Sequence, residues 1–126
     1  MVLAGSELGR VALDGTDLRL DFAAAWVQPE TPRLGQGDQH GFQRGVRWVL
    51  LRARVDGVLD EVLGRVSEGQ GTVAGVRRSA WALPDAVEAS IELELTTAQG
   101  ARLRVLAQGL HIDVDAEAGW TESLAC

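Results

Sequence analysis

The chain has 126 residues and a formal net charge of −6, and its twelve basic residues are all arginine, with no lysine, tyrosine or asparagine. The missing residue types exclude Schiff-base chemistry, a P-loop lysine and tyrosine acid–base catalysis. A lone cysteine, Cys126, excludes an internal disulfide and a cysteine metal cluster. This length favours one domain over residues 1–126 with a single hydrophobic core.

Charge is unevenly distributed along the chain. Residues 1–84 carry ten arginines and ten acidic residues, whereas residues 85–126 carry two arginines and eight acidic residues. Phosphate binding needs a basic surface, so this balance argues against nucleic acid as a partner. No apolar run is long enough to span a membrane, and the first residues lack the features of a signal peptide. We therefore expect a cytoplasmic protein with no membrane partner.

The first predicted element is a β-hairpin over residues 9–22. Asp14-Gly15 is a two-residue turn signal that would pair Val11 with Leu18. After this hairpin, residues 28–41 contain two prolines and three glycines. This composition predicts a long exposed loop that ends near residue 45, and loops of that length are often functional.

Residues 46–55 predict a strand whose apolar phase flips between Leu50 and Leu51. Such a flip indicates either a β-bulge or a strand that is covered on both faces. Apolar residues then recur at helical spacing in residues 57–66, which predicts one short helix.

The glycines of residues 67–75 predict a flexible turn. They resemble a phosphate-binding fingerprint only superficially, because their spacing differs and Pro84 leaves too little room for the helix that such a site requires. A turn that leads into a short strand is the simpler interpretation.

Residues 90–115 alternate apolar and polar side chains, which predicts three antiparallel strands. A three-residue loop ending at Gly100 would pair Leu95 with Leu103 and Leu93 with Val105. Gly100 would then occupy the loop position that favours a left-handed residue.

A second turn at Gln108-Gly109 would pair Ala107 with Leu110 and Val105 with Ile112. The outward face would then carry a charge ladder, in which arginines of the middle strand lie between two acidic rows. Its predicted members are Glu94, Arg104 and Asp113 in one row and Arg102 and Asp115 in the next. Because these charges satisfy one another, we interpret the ladder as scaffold.

These elements together predict a mainly β fold. We expect an antiparallel barrel or sandwich of about seven to nine short strands with one short helix (57–66).

Tryptophan and arginine dominate the candidate binding residues, because exposed tryptophan beside arginine is typical of protein–protein hot spots. Trp48 lies on an alternating strand and is predicted to be core; the same core role is the alternative for the other tryptophans. The predicted binding residues are Trp26, His40, Arg44, Arg47, Arg77, Arg78 and Trp81.

A metal site is a further hypothesis. His111, Asp113 and Asp115 alternate on one strand face, and His40 or Asp38 in the long loop could complete the ligands. A metal held by His40, His111 and Asp113 competes with the simpler interpretation of a solvated charged face.

The leading functional prediction is a non-catalytic binding or protein-interaction module without a cofactor. Its expected partner is another protein or a second copy of the chain, since an acidic surface suits a basic protein partner. The alternatives are a β-barrel that binds a small molecule in a cavity lined by tryptophan, and a metal-dependent enzyme.

Overall fold

The computed structural model describes residues 1–28, 41–115 and 117–122, which form twelve β-strands and one short 3₁₀ turn at Leu59–Glu61. The strands are β1 (Val2–Asp14), β2 (Asp17–Val27), β3 (Gly41–Gln43), β4 (Val46–Leu51), β5 (Arg54–Asp56), β6 (Gly64–Val73), β7 (Val76–Arg78), β8 (Asp85–Val87), β9 (Ile91–Thr97), β10 (Arg102–Ala107), β11 (Gly109–Val114) and β12 (Trp120–Glu122).

Antiparallel pairing joins all the strands into one sheet, which confirms the mainly β prediction. The order along the sheet is β5-β10-β9-β6-β1-β2-β4-β11-β8, with β3 between β2 and β12, and β7 beside β6. Of the predicted barrel or sandwich of about seven to nine strands, the closed barrel and the strand number are wrong, because the described residues form twelve strands and the end strands β5 and β8 do not pair with each other. Both end strands are only three residues long, as is common for protected sheet edges.

The open sheet curls around a single core. β10 is the second strand in the sheet order and β11 is the eighth, yet only Gln108 separates them in the chain. The two ends of the sheet must therefore approach each other. Apolar side chains from both ends join one buried cluster, in which Trp48, Leu93 and Val105 have no exposed surface.

The β1–β2 hairpin is confirmed, but its predicted register is wrong by two residues. Val11 pairs with Leu20, and Leu13 pairs with Leu18. Asp14 pairs with Asp17, so Gly15, which has a φ of +63°, is the first central residue of the turn rather than the second. A shift of two residues leaves each apolar side chain on its expected face.

The β9–β10 hairpin forms as predicted. Leu95 pairs with Leu103, Leu93 pairs with Val105, and Gly100 has a φ of +89° in the three-residue loop.

The predicted β10–β11 hairpin is wrong. β10 pairs with β5 on its other side, whereas β11 crosses to the opposite part of the sheet and pairs with β4 and β8. Ala107 and Leu110 are therefore not partners, and neither are Val105 and Ile112. Both arrangements point the apolar residues toward the core, so alternation alone could not distinguish them.

The phase flip at Leu50 and Leu51 marks neither a bulge nor a doubly covered strand. It marks the end of β4, where Arg52 has a φ of +50° and the chain leaves for β5. The Ala53 amide donates to the Thr16 carbonyl at 2.7 Å, which holds this crossing against the first hairpin.

The predicted helix over residues 57–66 is wrong. Gly57 and Gly64 have φ values of +135° and +101°, which no α-helix accommodates. Only the 3₁₀ turn forms between them. Val62 and Val66 are buried, whereas Val58 is 56% exposed, so the apolar spacing does not define one buried helical face.

Of the glycines predicted to form a flexible turn, Gly69 and Gly71 instead lie within β6, whereas Gly75 does lie in a turn, between β6 and β7, with a φ of +80°. A Cβ placed on Gly69 would lie 2.6 Å from Cβ of Leu3, and one on Gly71 would lie 2.6 Å from Cζ2 of Trp81. Glycine is required at these positions because Leu3 and Trp81 pack directly against the backbone of the strand.

Candidate functional site

The predicted arginine and tryptophan residues do not form one surface. Trp81 is only 3% exposed and packs edge-on against Trp48, with ring centroids 4.9 Å apart. The guanidinium of Arg78 lies 5.2 Å from the Trp81 ring centroid and also contacts Asp85 at 3.3 Å. The core therefore takes almost all of the Trp81 ring, and little remains for a partner.

Arg47 and Arg77 also have partners within the chain. Nε of Arg47 donates to Asp21 at 2.8 Å, and this hydrogen bond raises the pKa of Arg47 above its ordinary value. Arg77 donates to the Gln70 side chain at 2.6 Å. Asp113 lies opposite Arg47 in the β4–β11 register, so the predicted ladder of Asp113 with Arg104 is wrong.

The structure gives no ligand set for the metal hypothesis in the segments that it describes. His111 lies opposite Val49 and Ala86 on an exposed face, in register between β4 and β8. Across residues 1–28, 41–115 and 117–122 no three histidine, cysteine or acidic side chains are close enough together to hold a metal. His40 lies outside the described residues, so its approach to His111 stays a prediction.

Trp26 belongs to a different environment from Trp81. It is half-buried on β2, and its ring packs against Phe42 of β3 with centroids 4.9 Å apart. Ser6, which is fully buried, accepts a hydrogen bond from the Trp26 amide at 2.8 Å and donates one to the Val2 carbonyl at 2.7 Å. These bonds fix the irregular part of β1 against β2.

A hollow of about 450 Å³ opens beside this aromatic pair. We call it the aromatic hollow; it is lined by Gly5, Glu7, Ala24, Phe42, Arg44 and Arg65. The small residues Gly5 and Ala24 leave space between the strands, and the Trp26 ring lies against Gly5. Glu7 and Arg65 are direct partners across β1 and β6.

A second candidate surface lies on the outward side of β5, β10, β9 and β6. We call it the charged face; its charged members are Arg54, Asp56, Glu68, Glu92, Glu94, Arg102 and Arg104. Arg104 contacts Glu92 at 2.6 Å and Glu94 at 3.6 Å, and the hydrogen bond to Glu92 raises the pKa of Arg104. A hollow of about 410 Å³ lies within this face.

The predicted binding residues include Arg44, which lines the aromatic hollow, and Trp26, which lies beside it, but none of the other lining residues. The run Ala23-Ala24-Ala25 before Trp26 was the available signal, because consecutive small residues beside a large ring leave space on a sheet. Glu7 and Arg65 could not be joined to it, since their proximity depends on the β1–β6 pairing of distant segments.

Comparisons with protein-family models, with curated proteins and with solved structures each found no match to this chain. Among the described residues, no helix has the length and apolar character needed to cross a membrane.

Proposed function

We propose that the protein is a non-catalytic interaction module that binds a segment of a partner protein in the aromatic hollow. The observation that carries this proposal is the half-buried Trp26–Phe42 pair beside an open space of about 450 Å³ with arginines at its border. Aromatic residues and arginine are the types that contribute most to binding energy at protein interfaces.

Charge at the hollow favours an acidic partner segment. Two arginines, Arg44 and Arg65, border it together with one acid, Glu7, and an arginine can bind a carboxylate through two N–H groups at once. An aliphatic or aromatic side chain of the partner would enter the space above Ala24. A neighbouring carboxylate would then meet the arginines, and charge-assisted hydrogen bonds of this kind are stronger than neutral ones.

Titration with short synthetic peptides tests this proposal. The probes carry one leucine or phenylalanine flanked by glutamates, and the matched probes carry lysines in place of the glutamates. Tryptophan fluorescence should change with the acidic peptides and not with the basic ones, because Trp26 lies beside the hollow. Weak, saturable binding is the expected result.

Variants assign that binding to the hollow. Ala24→Leu should fill the space and weaken binding at least tenfold, and Arg65→Ala should weaken it several-fold. Arg54→Ala removes an exposed arginine from β5, away from the hollow, and should leave binding unchanged. A folded protein that binds none of the acidic peptides, or one for which Arg54→Ala has the same effect as Arg65→Ala, would contradict the proposal.

The small-molecule alternative remains a proposal for the same hollow. A small molecule would bind in this hollow and not inside a barrel, because the sheet is open and fully buried side chains such as Trp48 fill the core.

A further inference from the structure

The charged face is divided into an acidic half and a basic half. The acidic half lies on β6 and β9, and the basic half lies on β10 and β5. Register places the charges in rows across the strands: Glu94 is beside Arg104 and Arg104 is beside Asp56, while Leu106, which is 44% exposed, stands between Glu92 and Arg54. The acidic residues are Glu68, Glu92 and Glu94, and the basic residues are Arg54, Arg102 and Arg104, with Asp56 as the one acid among them.

A face divided in this way is complementary to itself. Consider two copies packed face to face, with a two-fold axis between them that runs parallel to the strands over the border between β9 and β10. The basic half of each copy then covers the acidic half of the other. We infer that the charged face is a self-association surface, and that its partner is a second copy of this chain in a two-fold dimer. Two-fold interfaces require this kind of self-complementarity.

The row of Glu68, Thr96 and Arg102 makes this pairing specific. Under the two-fold axis, Arg102 of the second copy faces Thr96 and lies one strand spacing, about 4.8 Å, to the side of Glu68. A long arginine side chain spans that offset. Glu68 and Arg102 take no part in the ion pairs found among the described residues, so the dimer would supply each with an opposite charge.

The hollow within the charged face provides space for these side chains. Its volume is about 410 Å³, and Glu68 and Arg102 both line it. An arginine from the second copy can therefore enter from above without displacing the strands.

The extent of the face sets the strength of the dimer. Four strands and three rows span roughly 14 Å in each direction. That area is well below the roughly 800 Å² that each partner buries in a standard stable interface. The dimer is therefore weak, forms at high protein concentration, and dissociates in salt because its attraction is electrostatic.

Sedimentation of the purified protein from about 20 µM to about 1 mM tests this inference. We expect dimer to accumulate toward 1 mM at low ionic strength and to disappear in roughly 0.5 M NaCl, where exposed charges are screened. Glu68→Arg and Arg102→Glu should each be monomeric alone, whereas their equimolar mixture should form a heterodimer. Arg10→Glu, which makes the same charge change on β1, should still dimerise.

A strict monomer at 1 mM in low salt would overturn the inference, as would a mixture of the two variants that stays monomeric. A measurement on the unmodified protein guards against variants that fail to fold. Amide NMR shifts between dilute and concentrated samples should be confined to β5, β6, β9 and β10. Shifts centred on the aromatic hollow would instead overturn this surface, while leaving the peptide-binding proposal to its own test.

Discussion

Gly71 is the position where one added methyl group should disturb the core most directly. A Cβ at this position would lie 2.6 Å from Cζ2 and 3.1 Å from Cη2 of Trp81. The Trp81 ring cannot easily retreat, because Trp48 packs against it at 4.9 Å and Arg78 lies 5.2 Å from its centroid. The φ of Gly71 is not positive, so alanine would meet no backbone strain.

Two opposing effects set the magnitude for Gly71→Ala. Restricting the unfolded chain would stabilise the protein by about 0.4–1 kcal/mol. Overpacking a well-filled core usually costs about 1–3 kcal/mol, and a ring held on both sides justifies the upper end. We therefore expect a net loss of about 2 kcal/mol in the free energy of unfolding. For a domain of this size, that loss lowers Tm by roughly 8 °C.

Urea unfolding followed by far-UV circular dichroism measures this loss. Gly9→Ala is the matched control on β1, because a Cβ there would meet Cβ of Ala23 at the milder distance of 3.3 Å. Its expected cost is under about 1 kcal/mol.

A double-mutant cycle with Trp81→Phe assigns the effect to the ring. Phenylalanine lacks the Cζ2 and Cη2 atoms of the indole that the new methyl group of Gly71→Ala would meet. The cost of Gly71→Ala should therefore fall by at least about 1 kcal/mol in the Trp81→Phe background. The packing argument is refuted if Gly71→Ala unfolds at the same urea concentration as the unchanged protein, or if the two substitutions are additive.

Two further predictions concern the first hairpin. Ser6→Ala removes the buried acceptor of the Trp26 amide and should lower the free energy of unfolding by about 1–3 kcal/mol, measured by thermal unfolding. Ser6→Thr keeps the hydroxyl and should cost less. Equal losses in the two variants would contradict the hydrogen-bond argument. Gly15→Ala should lower the free energy of unfolding by about 1 kcal/mol through backbone strain alone, because φ is +63° and no neighbouring atom lies within 4 Å of the new methyl group. Gly15→Asn should cost less, since asparagine tolerates that conformation. An alanine variant as stable as the original protein would exclude strain at this turn.

Local signals in the sequence determined the register of one hairpin, that of β9 and β10. The three-residue loop with Gly100 allowed only the register in which Leu95 meets Leu103, and the structure has that register. The crossing at Gln108 was not predictable in the same way, because alternation says which side of a strand is buried but not which strand lies beside it. Gly71 was misinterpreted for a related reason: a glycine that a distant ring covers looks like a turn when only its neighbours are known.

The same difference between local patterns and distant contacts applies to the candidate surface residues. Trp48 was correctly predicted to be core from its alternating strand. Trp81 resembled a surface residue because two arginines precede it, yet its ring packs inside, against Trp48 and against the strand backbone at Gly71. The aromatic hollow joins β1, β2, β3 and β6, so a pattern within any single segment could identify only part of it.

The crossing from β10 to β11 also determines when the fold can be completed. Every partner of β11 comes from elsewhere in the chain, and its long edge with β4 joins residues 46–51 to residues 109–114. Pairing over such a separation requires a long loop to close first, which slows folding. During synthesis, β4 would leave the ribosome with Trp48 and Leu50 facing a core that lacks one wall. The edge of β4 stays unpaired until the last third of the chain has been synthesised. Aggregation would therefore compete with folding most strongly between the synthesis of β4 and that of β11.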